Sequence, residues 1–186
     1  MESDEDLIAA YLNGDEDAFT RLVERHLKSV YSFTLRFVGS QSDAQDIVQE
    51  SFFKTWKNLK RYSSQSASFK TWLMHIARNT AIDFLRKRKH IPFSEFDNEE
   101  GNSVFDNLPD ETPLAEELLS NVQDVKDVEW AISQLSPSYR EVLLLYYESD
   151  LTFEEVAGVL EASVNTVKSR HRRAVIALRK LLLHRK

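Results

Sequence analysis

Cysteine is absent from the 186-residue chain, which excludes disulfides and thiolate metal sites and is compatible with a reducing compartment. Glycine and proline, four of each, are too scarce for the many tight turns of a sheet protein and suit helices instead. There is no long strand-like alternation and no fixed-period repeat. No apolar run approaches membrane-spanning length. The opening MESDEDLIAAYL is acidic where a secretory signal would be basic. These absences point to an all-α protein with no direct membrane insertion and a cytoplasmic location.

Catalytic signatures are missing as well. His26, His75, His90, His171 and His184 are too scattered for a local metal pair. None of Gly14, Gly39, Gly101 and Gly158 builds a phosphate-cradling loop, and no nucleophile motif appears. No catalytic residue, metal or cofactor is expected, and the chain does not read as an enzyme.

Charge of one sign is missing locally, and this says more than the formal net charge of -6. From Lys54 to Lys89, bases such as Lys57, Lys60, Arg61, Lys70, Arg78 and Arg86 face the single acid Asp83. From Ile91 to Gln123 the acids run from Glu95 to Glu117 with no Lys or Arg at all. The run Val164 to Lys186 then holds many bases and no acid. Two basic segments flanking an acidic one suit two contacts with a polyanion, joined by a segment that the polyanion repels.

What is present is helical periodicity. Leu7, Ile8, Tyr11 and Leu12 mark a short helix stopping near Asn13-Gly14. Phe19, Leu22, Val23, His26, Val30, Phe33 and Phe37 continue to Gly39. Ser42-Asp43-Ala44-Gln45 reads as a capping box opening a third helix with an apolar line of Ala44, Val48, Phe52, Trp56 and Leu59. Ser68, or Ser66, caps a fourth helix that buries Phe69, Leu73, Ile76, Ala77, Phe84 and Leu85. The expected core includes Trp56 and Trp72. After His90 the period dissolves into PFSEFDNEEGNSVFDNLPDETP, an acidic linker whose Phe93, Phe96, Val104 and Phe105 suggest partial docking. The expected architecture is two small helical domains, 1–90 and 114–186, joined by a linker at 91–113.

The second domain reads as a helix on Val125, Val128, Ile132 and Leu135, then a Ser136-Pro137 break with proline at the first helical position. The next helix has an apolar face of Val142, Leu143, Leu145, Tyr146 and Tyr147. In LTFEEVAGVLEASVNTVKSRHRRA, Thr152-Phe153-Glu154-Glu155 is a capping box and Leu151 with Val156 a hydrophobic staple. Glu161-Ala162 makes a turn, and Ser163 caps a helix that buries Val167, His171, Ala174, Leu178 and Leu181. Asn165, Thr166, Ser169, Arg172 and Arg173 fall away from that line. This is a helix-turn-helix whose last helix is suited to a DNA major groove. Arg and Asn can read guanine and adenine edges, while Lys168 and Arg170 meet phosphates.

TVKSRHRRAVIALRKLL, preceded by LTFEEVAGVL, resembles the −35-reading domain of sigma-70 family factors. DAQDIVQESFFKTWKNL and SFKTWLMHIARNTAIDFLRKRK resemble that family's core-binding and −10-reading helices. The short two-domain form is similar to the extracytoplasmic-function (ECF) group. The resemblance implies a subunit of RNA polymerase that selects and melts promoters. It implies polymerase docking through Asp46, Gln49, Glu50 and Phe53. It implies that single-stranded −10 DNA meets Arg61, Tyr62, Lys70, Thr71, Arg78, Asn79, Asp83 and Arg86, with His75 and Ile82 on the same strip and an Asp83–Lys87 pair beside it. Duplex −35 DNA falls to the last helix, the linker threads toward the polymerase cleft, and an anti-sigma partner is implied. A polymerase-independent helix-turn-helix regulator and a decoy that binds polymerase without opening promoters stay open as alternatives. Two departures from the family pattern stand out. Glu161 occupies the turn where glycine is usual, so that turn is expected to manage without easy positive φ. His171 replaces a common Leu, while Val175 and Ile176 replace charges and suggest an apolar patch for a regulator.

Overall fold

The computed structural model describes residues 2–89 and 125–184. Regular structure among the described residues is entirely helical, with eight α-helices and one 3-10 turn. The expected linker at 91–113, the start of the second domain near Leu114 and the docking of the linker's aromatic residues lie outside the described residues.

Helix α1, Asp4–Leu12, opens with a reciprocal box in which the Ser3 hydroxyl accepts the Asp6 N–H and the Asp6 carboxylate accepts the Ser3 N–H. Helix α2, Glu16–Val38, buries Leu22, His26, Val30, Phe33 and Phe37 on one stripe and ends at Gly39 in the left-handed region, φ 75°. Nothing crowds a Cβ built at Gly39, so the backbone angle rather than lack of space favours glycine there.

Helix α3, Gln41–Asn58, begins at once. Its cap is Ser40, not the expected Ser42, because the chain turns back directly after Gly39 and Ser40 already has the extended backbone of an N-cap. Ser51 and Thr55 are buried without penalty, since each hydroxyl donates to the carbonyl four residues earlier. Trp56 does not join the core as expected. It is 48% exposed, and its indole N–H donates to the Tyr11 hydroxyl at 2.6 Å. Steps of four residues drift about 40° each from a 3.6-residue turn, so the buried line passes from Phe52 to Thr55 and Leu59 instead.

The 3-10 turn Leu59–Arg61 and a short loop lead to α4, Phe69–Lys89. Ser68 caps it as expected, accepting the Thr71 N–H at 3.2 Å. Phe69, Leu73, Met74, Ala77, Ala81 and Leu85 lie in the main core, and Trp72 packs partly buried against Tyr62 and Phe69. Thr71, Arg78 and Ile82 on other faces of α4 are buried too.

The reason lies in the second group of helices: α5 (Val125–Gln134), α6 (Pro137–Tyr147), α7 (Phe153–Leu160) and α8 (Val164–His184). Helix α6 starts with proline in its first turn after Ser136, as its sequence indicates. Val142, Leu144 and Leu145 enter the main core, while Leu143 enters a second one with Ala131, Leu135, Ala174, Val175 and Leu178. A helix apolar around most of its circumference must be sandwiched, and α6 is. The main core runs unbroken from Leu7 in α1 to Val167 in α8. Helix α4 lies against α7, and α2 against α6. Val175 is therefore packed inside and offers no apolar patch to a regulator, while Ile176 is half-buried.

Candidate nucleic-acid interface

The two elements of the expected helix-turn-helix form as their caps require. The Thr152 hydroxyl accepts the Glu155 N–H at 3.2 Å, and a Glu155 carboxylate oxygen accepts the Thr152 N–H at 2.9 Å. Leu151 and Val156, the staple pair, are both buried. The turn contradicts one expectation: Glu161 itself takes the left-handed conformation, φ 52° and ψ 38°, so positive φ is retained without glycine. The turn geometry overrides the local preference of a side chain for negative φ, at about 1–2 kcal/mol. Ser163 then caps α8 by accepting the Thr166 N–H at 3.0 Å.

Helix α8 buries Val167, Ala174 and Leu178 and turns Asn165 and Lys168 fully outward. Thr166, Ser169, Arg170, Arg172 and Arg173 lie half-buried on its shoulders, and none is sunk in the core. His171 sits among Tyr146, Tyr147 and Phe153, with ring centroids 5.0, 5.6 and 5.1 Å away. Burial in this aromatic setting pushes its imidazole down to about 4. The Lys168 ammonium lies over the Phe153 ring. The helix thus presents polar and basic groups from a rigid, aromatic-backed base, which is what groove insertion requires.

A second surface lies on α3. Asp46, Gln49, Glu50 and Phe53 are all exposed on one side of α3. Phe53 is 52% exposed, and its ring stands 5.9 Å from that of Trp56, extending the acidic strip with an apolar end. Glu50 is 3.7 Å from Lys54 in a solvent-facing pair.

The strip expected for −10 DNA divides in two. Arg61, Asp83 and Arg86 are exposed, with Asp83 pairing Arg86 at 3.7 Å rather than the expected Lys87. Lys70 is half-buried, and so is Tyr62, whose hydroxyl donates to the Ala67 carbonyl. Burial first, and the nearby Glu5 and Asp4 carboxylates next, push the Tyr62 phenol up to about 12, so it stays a proton donor. Thr71, His75 and Arg78 instead meet the second domain, and Asn79 is bonded to His75 and Arg78 beside it. Arg78 donates to both carboxylate oxygens of Glu141 at 2.9 and 3.3 Å, and Glu141 is 0% exposed. The chain of bonds continues from Arg78 to the Asn79 side-chain Oδ1, from the Asn79 side-chain amide to His75 Nε2, and from His75 Nδ1 to the Val159 backbone carbonyl. Ser68 and Thr71 hydroxyls donate to Glu155 at 3.3 Å each. Burial alone would push the Glu155 carboxyl up, but the Thr152 amide and hydroxyl with those two hydroxyls bring it below the usual range.

The Sigma-70 region 2 family matches residues 22–91, and Sigma-70, region 4 matches residues 127–178. The chain is 32% identical over 171 residues to the ECF RNA polymerase sigma factor SigW of Bacillus subtilis (strain 168), covering 91% of each chain. The chain belongs to the ECF sigma factors of the sigma-70 family. A further relative is the RNA polymerase sigma-H factor of Pseudomonas aeruginosa, 33% identical over 190 residues, covering 98% of this chain and 95% of the relative. Two solved structures share the fold. The structure of CnrH in complex with the cytosolic domain of CnrY has a TM-score of 0.71 at 25% identity, covering 98% of this chain and 99% of that one. The sigma factor RpoE in complex with the anti-sigma factor NepR from Bartonella quintana has a TM-score of 0.66 at 25% identity, covering 88% and 96%. As a sigma factor the chain binds core RNA polymerase and promoter DNA and directs transcription initiation.

The residues that sequence reasoning missed in this sigma factor all serve the seam between its two helical groups. Arg140, on α6, donates to the carbonyls of Ile132, Ser133 and Leu135 at the end of α5 and to Phe37 O at the end of α2. One cation thus satisfies the orphan carbonyls of two helix C-termini. Burial pushes its guanidinium below the usual arginine value. Arg36 on α2 pairs with Glu148 at the end of α6 and approaches Glu129 on α5 at 3.9 Å. Glu141 had one legible signal: it stands with Ser138, Val142 and Leu145 at spacings of three and four, on a line that is buried.

Proposed function

We propose that this sigma factor docks on core polymerase through Asp46, Gln49, Glu50 and Phe53, and that Trp56 extends the same surface. It reads duplex −35 DNA with Asn165, Thr166, Ser169, Arg172 and Arg173, while Lys168 and Arg170 position the helix on phosphates. It meets the single-stranded −10 element with Arg61, Tyr62, Lys70, Thr71, Arg78, Asn79, Asp83 and Arg86. The observation that carries this reading is the outward-facing polar half of α8, held by a complete cap, staple and turn. An exposed acidic strip ending in an aromatic is the kind of helix face that docks on a basic helical partner.

The chain acts as two domains, 1–90 and 114–186, with an acidic linker at 91–113 between them. It performs no covalent chemistry and works in the cytoplasm. Among the described residues no helix is long and apolar enough to cross a membrane. An anti-sigma protein is a further partner of this chain, a reading supported by the structural neighbours RpoE, in complex with the anti-sigma factor NepR, and CnrH, in complex with the cytosolic domain of CnrY.

Paired variants test the assignment. Arg173→Ala is expected to leave core-polymerase binding unchanged while promoter choice at the −35 element relaxes, by about 1–3 kcal/mol of discrimination. Phe53→Ala is expected to do the reverse, weakening core binding with the −35 preference intact. Co-purification with core polymerase and sequencing of transcripts made in vitro read the two effects separately. An unaltered promoter profile for Arg173→Ala would remove that residue from the reading surface.

A further inference from the structure

The N-terminal end of α1 belongs to none of the surfaces assigned above, yet it anchors a buried histidine. His26 of α2 is 7% exposed, and its Nε2 lies 2.8 Å from an Asp4 carboxylate oxygen. The other Asp4 oxygen accepts from Arg25 at 2.7 Å, and Arg25 also donates to the Glu2 carbonyl at 2.9 Å. Burial holds the imidazole below its ordinary value, with Asp4 opposing and Arg25 and Lys70 helping. A neutral ring has one N–H to give and a carboxylate only accepts, so Asp4 places that hydrogen on Nε2. With Arg25 holding the carboxylate, the bond to His26 fixes the plane of the ring. That plane is tilted at 59° to the Phe69 ring, with centroids 5.4 Å apart. Phe69 opens α4, and Tyr62 stands edge-on to it at 5.7 Å.

Tyr62 and Phe69 stand at the two ends of the loop that joins the 3-10 turn to α4. Tyr62 closes the loop by donating its hydroxyl to the Ala67 carbonyl, and the two rings pack on Trp72 at 5.3 and 5.9 Å. Between them Ser63, Ser64, Gln65 and Ser66 are exposed. Exposed polar residues have little packing of their own to hold a shape, so the loop takes its shape from its aromatic ends. We infer that Asp4 and His26 are positioning residues for the −10 loop: they set the base on which Phe69 and Tyr62 stand, and so the shape in which residues 62–68 meet the strand. This rests on the reading that Tyr62 and its neighbours meet single-stranded −10 DNA. An apolar residue in place of His26 would fill the same stripe of α2 between Leu22 and Val30, but would give Phe69 no fixed partner. A loop about 1 Å out of place loses a base contact without any loss of fold.

Transcription in vitro by the full chain with core polymerase, from a library of genomic fragments, gives the −10 and −35 preferences separately in one reaction. His26→Leu and Asp4→Ala are each expected to relax the −10 preference at least about fivefold, the lower end of what one base contact on a single strand contributes. The −35 preference and core binding are expected to stay as in the wild type. Asp4→Ala leaves every core side chain in place, so it decides the matter even if His26→Leu fails to fold. The double variant is expected to be no worse than either single one, because both changes break one line of contacts. His26→Gln keeps an N–H at the place of Nε2 and is expected to restore the preference. A −10 preference still sharp in Asp4→Ala and His26→Leu, beside one relaxed by Tyr62→Leu, would overturn the inference and leave the −10 reading intact. An equal loss at −35 would also overturn it, since that marks damage to the whole fold. If Tyr62→Leu changes nothing, the −10 reading of the loop falls and the inference with it.

Discussion

At the scale of single residues, the sharpest feature is His171, an imidazole where an apolar side chain would serve. It is ringed by Tyr146, Tyr147 and Phe153, and its Nε2 lies 3.2 Å from the Tyr147 hydroxyl. Its value is about 4 in the folded chain against 6.5 for a free imidazole. A depressed value means that the unfolded chain binds the proton more readily. Stability is therefore fully present above about pH 6.5 and is lost as pH falls toward 4. Because the ring is only partly shielded, the loss is about 1–2 kcal/mol. Urea unfolding at several pH values is expected to show this slope in the wild type and a flatter one in His171→Leu. A slope unchanged by the substitution would place the titration elsewhere. His171 was legible as a member of the buried line of α8. Its three aromatic neighbours come from α6 and α7, and no spacing within α8 announces them.

At the scale of elements, caps were the most legible part of the fold and their exact positions the least. Thr152 and Glu155 are readable because both partners of a capping box lie within four residues. Ser40 and Ser42 are each acceptable caps by chemistry, and only the left-handed Gly39 just before Ser40 decides between them. The two left-handed helix ends offer opposed tests. Gly39→Ala puts a side chain into positive φ with no contact to gain and is expected to destabilise the protein by about 1 kcal/mol. Glu161→Gly removes a side chain from the same region and is expected to be neutral or stabilising by up to about 1 kcal/mol, the relief of strain being offset by greater freedom when unfolded. Chemical denaturation of both variants reads the signs. Two destabilised proteins would mean that Glu161 contributes more through its contacts than its backbone angle costs.

At the scale of the whole molecule, periodicity identified the helices and the charge map separated the basic segments, but neither showed how the halves meet. A helix such as α4 reads as half core and half basic surface in one dimension. Whether Arg78 faces solvent, DNA or Glu141 depends on a residue 63 positions away. The same holds for Arg140, whose acceptors at Phe37 and Leu135 come from two different helices. Both proposed faces were readable as exposed surfaces because each lies within one helix or one helical pair. The seam was not, because its partners are distant in sequence and polar.

The central claim is that this chain gives core polymerase a promoter preference read at two places. Transcription in vitro from a library of genomic fragments, with core polymerase alone and with the protein added, tests it most directly. The account expects protein-dependent starts whose upstream DNA shares two motifs at a fixed spacing. Complex formation with core polymerase that yields no new start sites would contradict it.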